Sequence, residues 1–286
     1  MQTDLPEQLG INQGAYLGER LDLDPMLQHL KTCVNSLGWK KEALRFGDEE
    51  EASLLCLTRR PAKPLANIIL SGGIHGDEPA TTAALCQMVL EDVLPQTHAY
   101  TVFPCLNPCG MRAGTRVTSN GRDLNRDYLT LETREVQAHV RKLKKLPPPD
   151  LALQLHEDWE AHGFYLYELA APGVAPLLGR PALDAVAEQC PIETASSIEG
   201  YPADRGWILP ELNACERNDW PEAFYFMQHK TRHSLTLESP SDFDMSVRIQ
   251  ALIKASLAAL KQLPTVPDES HSAGDTSDVP GNLSTG

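Results

Sequence analysis

Short apolar runs alternate along this chain with longer amphipathic stretches, and the alternation predicts its elements. Residues 67–70 (Asn-Ile-Ile-Leu) form an apolar run that stops at Ser71-Gly72-Gly73, as a buried strand does. Residues 79–93 come next as a helix, with Pro79 near the first helical position, where a missing N–H costs nothing. Residues 100–105 read as the next strand. Residues 107–128 are polar, contain glycine and form a long connection, and long connections of this kind are often functional.

Residues 130–145 have helical character, with Glu132 and Glu135 early and Arg141, Lys142, Lys144 and Lys145 late. That order complements the helix dipole, so the basic cluster reads as a solvated helix end. Pro147-Pro148-Pro149 ends the helix. Further strands are expected over 151–155, 163–169 and 234–237. Ser241 is placed to cap a last amphipathic helix carrying Val247, Ile249, Leu252, Ile253, Leu257 and Leu260. Strands alternating with helices predict an α/β sandwich around a largely parallel or mixed sheet. One domain is expected over 1–263. Residues 264–286 are rich in Pro, Ser, Gly, Thr and Asp and lack aromatic residues, Lys and Arg, so a disordered tail is expected there.

Composition narrows the function by exclusion. The net charge of −14 argues against nucleic-acid binding, which requires a basic surface, and against docking on anionic lipid. No apolar run approaches the length of a membrane span, and the first residues lack the basic and apolar regions of a signal peptide. The seven cysteines are odd in number and irregular in spacing. They read as reduced thiols, and a cytoplasmic protein fits best.

Three strand ends carry candidate chemistry, and ligands gather at strand ends in open α/β sheets. The first is Gly73-Ile74-His75-Gly76-Asp77-Glu78, where an imidazole and a carboxylate three residues apart can converge on one ion. The second is the apolar run of 151–155 delivering His156. Two histidines and a glutamate, with a fourth position left to water, form a catalytic zinc set. The third is Leu235-Thr236-Leu237-Glu238, a strand that ends in a carboxylate able to act as general base. Taken alone, the first reads more readily as a polar loop before a helix and the second as a structural histidine, and the third has the alternative of a surface glutamate before a turn. Between them, Arg112, Arg116, Arg122 and Arg126 stand in one loop of an acidic chain, with Asn125 beside the last, and suggest an anionic ligand.

In this order, His-x-x-Glu, Asn107-Pro108-Cys109-Gly110, Asp123-Leu124-Asn125-Arg126, His156 and Glu238 resemble the zinc carboxypeptidase (M14 metallopeptidase) family over residues 65–260. The short loop before Asn125 is closest to that of small bacterial members that trim cell-wall peptides (murein peptide amidase-like), and of related deacylases. The resemblance implies a mixed, largely parallel sheet of about eight strands between helices. It also implies one zinc ion on His75, Glu78 and His156, with Glu238 as base. Arg116 corresponds to the arginine that polarises the scissile carbonyl, and Asn125 and Arg126 to the pair that grips a free carboxylate. Arg112 and Arg122 correspond to nothing functional and read as loop residues.

Glu157 and Asp158 depart from the family pattern after the histidine, and could favour a cationic substrate group or raise the basicity of the site. Tyr201 and Tyr225 are both candidates for the tyrosine that closes over substrate. The implied activity is hydrolysis of an amide bond next to a free carboxylate, on a peptide or acyl-amino-acid substrate. The alternatives are an N-acyl amino acid deacylase resembling succinylglutamate desuccinylase or aspartoacylase, and an inactive zinc- or peptide-binding module. The deacylases usually carry an additional C-terminal β domain, whereas the residues after Glu238 here read as a helix and a tail.

Overall fold

The computed structural model describes residues 19–47, 52–211, 218–229 and 231–263. The expected tail over 264–286 and Cys215 lie outside the described residues. No disulfide joins the cysteines that are described.

In chain order the elements are α1 (Leu23–Cys33), β1 (Lys40–Arg45), β2 (Ser53–Arg59), β3 (Asn67–Ser71), α2 (Pro79–Leu90), β4 (Ala99–Phe103), α3 (Pro108–Ala113), α4 (Arg134–Leu143), β5 (Leu151–Asp158), β6 (Tyr165–Ala170), α5 (Gly179–Val186), β7 (Ser197–Ile198), β8 (Tyr201–Asp204), β9 (Trp207–Ile208), α6 (Glu222–Gln228), β10 (His233–Pro240) and α7 (Met245–Lys261). A single 3-10 turn, Leu124–Arg126, lies between α3 and α4.

The described strands form one sheet of ten in the order β1-β2-β4-β3-β5-β10-β6-β9-β8-β7. Its centre, β4-β3-β5-β10, is parallel. Both flanks are mainly antiparallel: β1 with β2, β2 with β4, β10 with β6, and the β9-β8-β7 meander. The mixed α/β class holds, but a largely parallel sheet of eight strands does not.

The difference has a physical cause at each edge. The β1 strand (Lys-Lys-Glu-Ala-Leu-Arg) is charged and mostly exposed, so it carries no apolar signal. Charge on an edge strand blocks further strand pairing. The strands β7 and β9 have two residues each, too few to show a period.

Helices cover both faces of the sheet. Leu55, Leu57, Ile68, Leu70, Leu153 and Leu235 pack in one core with the buried faces of α1, α2, α5 and α7. Leu54, Cys56, Ile69, Phe103 and Ala152 face the other way, against Val136 and Val140 of α4 and Tyr225 and Phe226 of α6. The alternation of neighbours such as Ile68 and Ile69 is the period of two of a strand buried on both sides. Among the described residues no helix is long and apolar enough to cross a membrane. The last helix begins after Asp244 rather than at Ser241, whose N–H instead donates to the Asp158 carbonyl.

Candidate metal centre and substrate cavity

The site forms where the parallel strands end. After β3 the chain turns at Gly72-Gly73, and Gly73 takes φ +60°, a conformation open to glycine. The Gly72 N–H donates to Phe103 O, Leu106 N–H to Gly72 O and Asn107 N–H to Gly73 O, which lock this turn to the chain leaving β4. A Cβ on Gly76 would stand 2.0 Å from the carbonyl carbon of Gly110, so the loop bearing His75 presses backbone to backbone on α3.

His75, Glu78 and His156 are brought together, each 3–4 % exposed. One ligating atom from each lies within 4.8 Å of the others. His75 Nδ1 is 2.5 Å from Glu78 Oε1, and His156 Nδ1 is 3.1 Å from Glu78 Oε2. Apart from that His156 contact, Glu78 Oε2 is buried without a further partner among the described residues. Burial pushes the His75 imidazole down, but Glu78 and Asp123 on its two nitrogens outweigh that and lift it to about 9. Burial likewise works against the charged Glu78 carboxylate, yet the two histidines hold it below its ordinary range. Two imidazoles and a buried carboxylate with a spare oxygen fit one divalent cation.

His156 and Glu238 reach the site through the register of β5 and β10. They are direct partners across parallel strands, and on the other side of β10 Glu238 pairs with Tyr165. Both lie within their strands rather than just beyond them. Burial raises the Glu238 carboxyl well above its ordinary value; Glu78, Asp158 and Glu199 add to this, and Arg116 opposes it.

The long loop over 107–128 contains α3 and the 3-10 turn, and both serve the site. Asn107 caps α3 by accepting from Gly110 N–H, while its Nδ2 donates to Arg116 O. Arg116 Nε donates to Asp123 Oδ2 at 3.1 Å, and its Nη1 is 3.8 Å from Glu78 Oε1. Asp123 also accepts from Asn125 N–H at 2.8 Å and lies 3.3 Å from His75 Nε2. Its carboxylate thus ties the His75 ring to Arg116 and to the turn carrying Asn125. A carboxylate on the outer nitrogen of a ligating histidine fixes the ring and its tautomer. In the sequence Asp123 stands within a motif but shows no role of its own. The acid directly before Leu-Asn-Arg is the available signal.

A cavity of about 580 Å³ opens over these residues. Arg116, Asn125 and Arg126 line it, together with Asp158, Glu199, Tyr165, Tyr167 and Tyr201. Asn125 Oδ1 accepts from the Glu222 N–H, so the group it offers the cavity is its NH2. Arg126 Nη1 donates to the Asn125 carbonyl, and its Nε is 3.6 Å from Asp219.

The two candidate tyrosines separate. Tyr201 lines the cavity, whereas Tyr225 is buried beside Tyr128 and stacked on His229. Glu157 and Asp158 also separate, because neighbours on a strand face opposite ways. Glu157 takes two bonds of 3.1 Å from Arg248, which is 0 % exposed, and one from Ala80 N–H, at the start of α2. Asp158 turns to the cavity side and accepts from the Tyr165 hydroxyl. Of the remaining loop arginines, Arg112 pairs with Asp24 and Arg122 with Glu132, away from the cavity.

Known proteins are similar to parts of this chain. Residues 64–191 match the succinylglutamate desuccinylase/aspartoacylase catalytic domain. That segment contains His75, Glu78, Arg116, Asn125, Arg126 and His156, and ends before Glu238. The chain resembles the zinc carboxypeptidases. Over 81 residues, 28% of this chain, it is 32% identical to murein peptide amidase A of Escherichia coli K12, and the alignment spans 33% of that protein.

Solved structures of other proteins share the fold. A protein of Shewanella denitrificans assigned to the metallopeptidases superposes with a TM-score of 0.72 at 21% identity, covering 85% of this chain and 90% of the other. A metallo-carboxypeptidase from Pseudomonas aeruginosa, in complex with (2-guanidinoethylmercapto)succinic acid, gives 0.59 at 16% identity, covering 82% and 66%.

Proposed function

We propose that the protein is a zinc-dependent hydrolase that cuts an amide bond next to a free carboxylate. The observation that carries this reading is the meeting, in one cavity, of a two-histidine, one-glutamate donor set, a carboxylate one strand away and an arginine–asparagine–arginine wall. Zinc held by His75, Glu78 and His156 would acidify water and polarise a carbonyl. Glu238 takes the proton from the attacking water as the new C–O bond forms, and returns it to the leaving nitrogen as the C–N bond breaks. A carboxyl whose environment favours the protonated form can hold that proton between the two steps. Arg116 donates to the developing oxyanion, a contribution of about 3 kcal/mol for a well-aimed group. The Asn125 NH2 and the Arg126 guanidinium grip the substrate carboxylate beside the cut, and Tyr201 lies where it can close over the bound residue.

A second reading, an N-acyl amino acid deacylase, is favoured by the family match over 64–191. It uses the same residues on a smaller acyl group. Assays of the zinc-loaded protein on C-terminal peptides and on N-acyl amino acids separate the two readings. Glu238→Gln is expected to abolish turnover on whichever series is cut while leaving zinc content at one equivalent. Near wild-type turnover by that variant would remove Glu238 as base, and a zinc-loaded protein inert on both series would remove the proposed activity.

A further inference from the structure

Glu78 holds the N-cap position of α2, yet its side chain makes no capping hydrogen bond. An N-cap side chain ordinarily accepts from the N–H of the second or third helical residue. The Glu78 carboxylate is turned instead onto His75 and His156. At the start of the helix Pro79 has no N–H to offer, and the Thr81 N–H donates to the Glu78 carbonyl at 3.4 Å. The Ala80 N–H donates at 3.0 Å to Glu157 Oε1, a buried carboxylate that arrives from β5, 77 positions away. The bond that an N-cap side chain would make is thus made from another strand, by the residue directly after His156.

We propose that Glu157 is a positioning residue for the metal centre: it caps α2 in place of Glu78 and so leaves the Glu78 carboxylate to the metal. The inference rests on the reading of His75, Glu78 and His156 as the metal set. The first N–H groups of a helix lack partners within it and attract a carboxylate. Without Glu157, the carboxylate nearest in sequence to these groups is that of Glu78, and helix and metal would compete for one side chain. Glu157 removes that competition. It also ties the first turn of α2 to the strand that carries the third ligand.

A second buried carboxylate so close to the donor set needs a counter-charge, and Arg248 supplies it. Its Nη1 donates to both Glu157 oxygens at 3.1 Å, and neither side chain is exposed. The guanidinium is itself aimed from α7, with Nε donating to the Phe243 carbonyl and Nη2 to Glu19, each at 2.7 Å. Glu157 Oε1 therefore accepts from Ala80 and Arg248 together, which fixes the carboxylate at the helix end. This role accounts for an acid at a position where the chain departs from the zinc carboxypeptidase pattern.

The test compares two double variants of the full chain in which the buried charges are removed alike. Glu157→Gln with Arg248→Met keeps a carboxamide oxygen for the Ala80 N–H, whereas Glu157→Leu with Arg248→Met keeps no acceptor. Zinc affinity is read by competition with a chromophoric chelator, and the unfolding midpoint of the zinc-free protein is recorded beside it. The first pair is expected to bind zinc about as tightly as wild type. The second is expected to bind it about 10–100-fold more weakly, as on loss of an outer-shell partner. Equal zinc affinity in the two pairs overturns the proposal, whatever their midpoints. Should the second pair not fold, Glu157→Gln alone remains decisive: its oxygen still accepts from Ala80, so a loss of zinc affinity of about tenfold or more overturns the proposal as well. Wild-type protein that takes up no zinc would remove the metal set and this role with it, whereas equal affinities in the variants would remove this role alone.

Discussion

Replacing Asp123 tests whether the site is one connected unit. Its carboxylate makes three contacts: 3.3 Å to His75 Nε2, 3.1 Å to Arg116 Nε and 2.8 Å to Asn125 N–H. Loss of a carboxylate behind a ligating histidine typically weakens metal binding about 10–100-fold, or roughly 1.4–2.8 kcal/mol. The contact to His75 is at the long end of hydrogen bonding, so Asp123→Ala is expected near the lower figure, about tenfold.

A second loss falls on Arg116, whose remaining carboxylate neighbour is Glu78 at 3.8 Å. Its side chain is 42 % exposed and would swing toward solvent. Saturating zinc should therefore restore metal content but not kcat/KM, leaving a further deficit of about tenfold or more from the misplaced guanidinium. Zinc affinity is read by competition with a chromophoric chelator, and the residual deficit by kinetics at saturating metal. Adding Arg116→Ala to Asp123→Ala should cost little more, because the two act through one contact. Wild-type zinc affinity in Asp123→Ala, or full additivity in the double variant, would refute the connection.

Contacts elsewhere in the molecule lead to three other expected outcomes. Arg248→Met strands the buried Glu157 carboxylate, a change worth about 3–5 kcal/mol, so the unfolding midpoint should fall on the order of 10 °C; an unchanged midpoint in thermal denaturation would contradict the buried pair. Gly76→Ala forces a Cβ into the Gly110 backbone and should leave the protein with well under one bound zinc by elemental analysis; a full equivalent would refute the tight backbone contact between this loop and α3. Glu222 has a folded pKa of about 8, above its ordinary 4.5, so the native state binds its proton more tightly than the unfolded chain does. Wild-type stability should therefore decline relative to Glu222→Gln as pH rises from about 4.5 to 8 and level off above, whereas a pH-independent difference would show that the carboxyl is not held neutral.

The legible parts of this chain are those whose signal is local. The β3, β5 and β10 strands are apolar runs ending in chemistry-bearing residues, and α7 carries a clear helical period. The order of His75, Glu78, Asn125, Arg126, His156 and Glu238 could be read without coordinates for the same reason. The illegible parts depend on separation in the chain. Ser71 and Glu222 are 151 positions apart and meet in one hydrogen bond. Nothing near Glu222 hints that its carboxyl is buried beside the cavity. Glu157 and Asp158 look alike in sequence, but the pleat of β5 sends one to Arg248 and the other to Tyr165. Of the antiparallel flanks β6 is legible, whereas β7 and β9 have two residues each and no period, and β1 has no apolar face.

The same division bears on how the two enzymatic readings can be told apart. The donor set, Arg116 and the carboxylate clamp all come from residues 75–156, inside the segment that matches the deacylase catalytic domain. Peptidase and deacylase readings make the same demands on those residues, so no feature within them discriminates. Other parts of the cavity come from after residue 191: Glu199 and Tyr201 from the β7–β8 turn, Glu222, Ala223 and Phe224 from α6, and Thr236 and Glu238 from β10. On the proposed reading these elements would select the groups on either side of the cut bond. Substitutions at Tyr201 or Glu222 should consequently change substrate preference with little effect on zinc binding, and substitutions at Asp123 should do the opposite. On the proposed reading the metal set and the carboxylate clamp come from one stretch of the chain, and the base Glu238 and much of the remaining cavity lining from another. Among the latter, Glu199 and Glu222 are the residues that local sequence signals reach least.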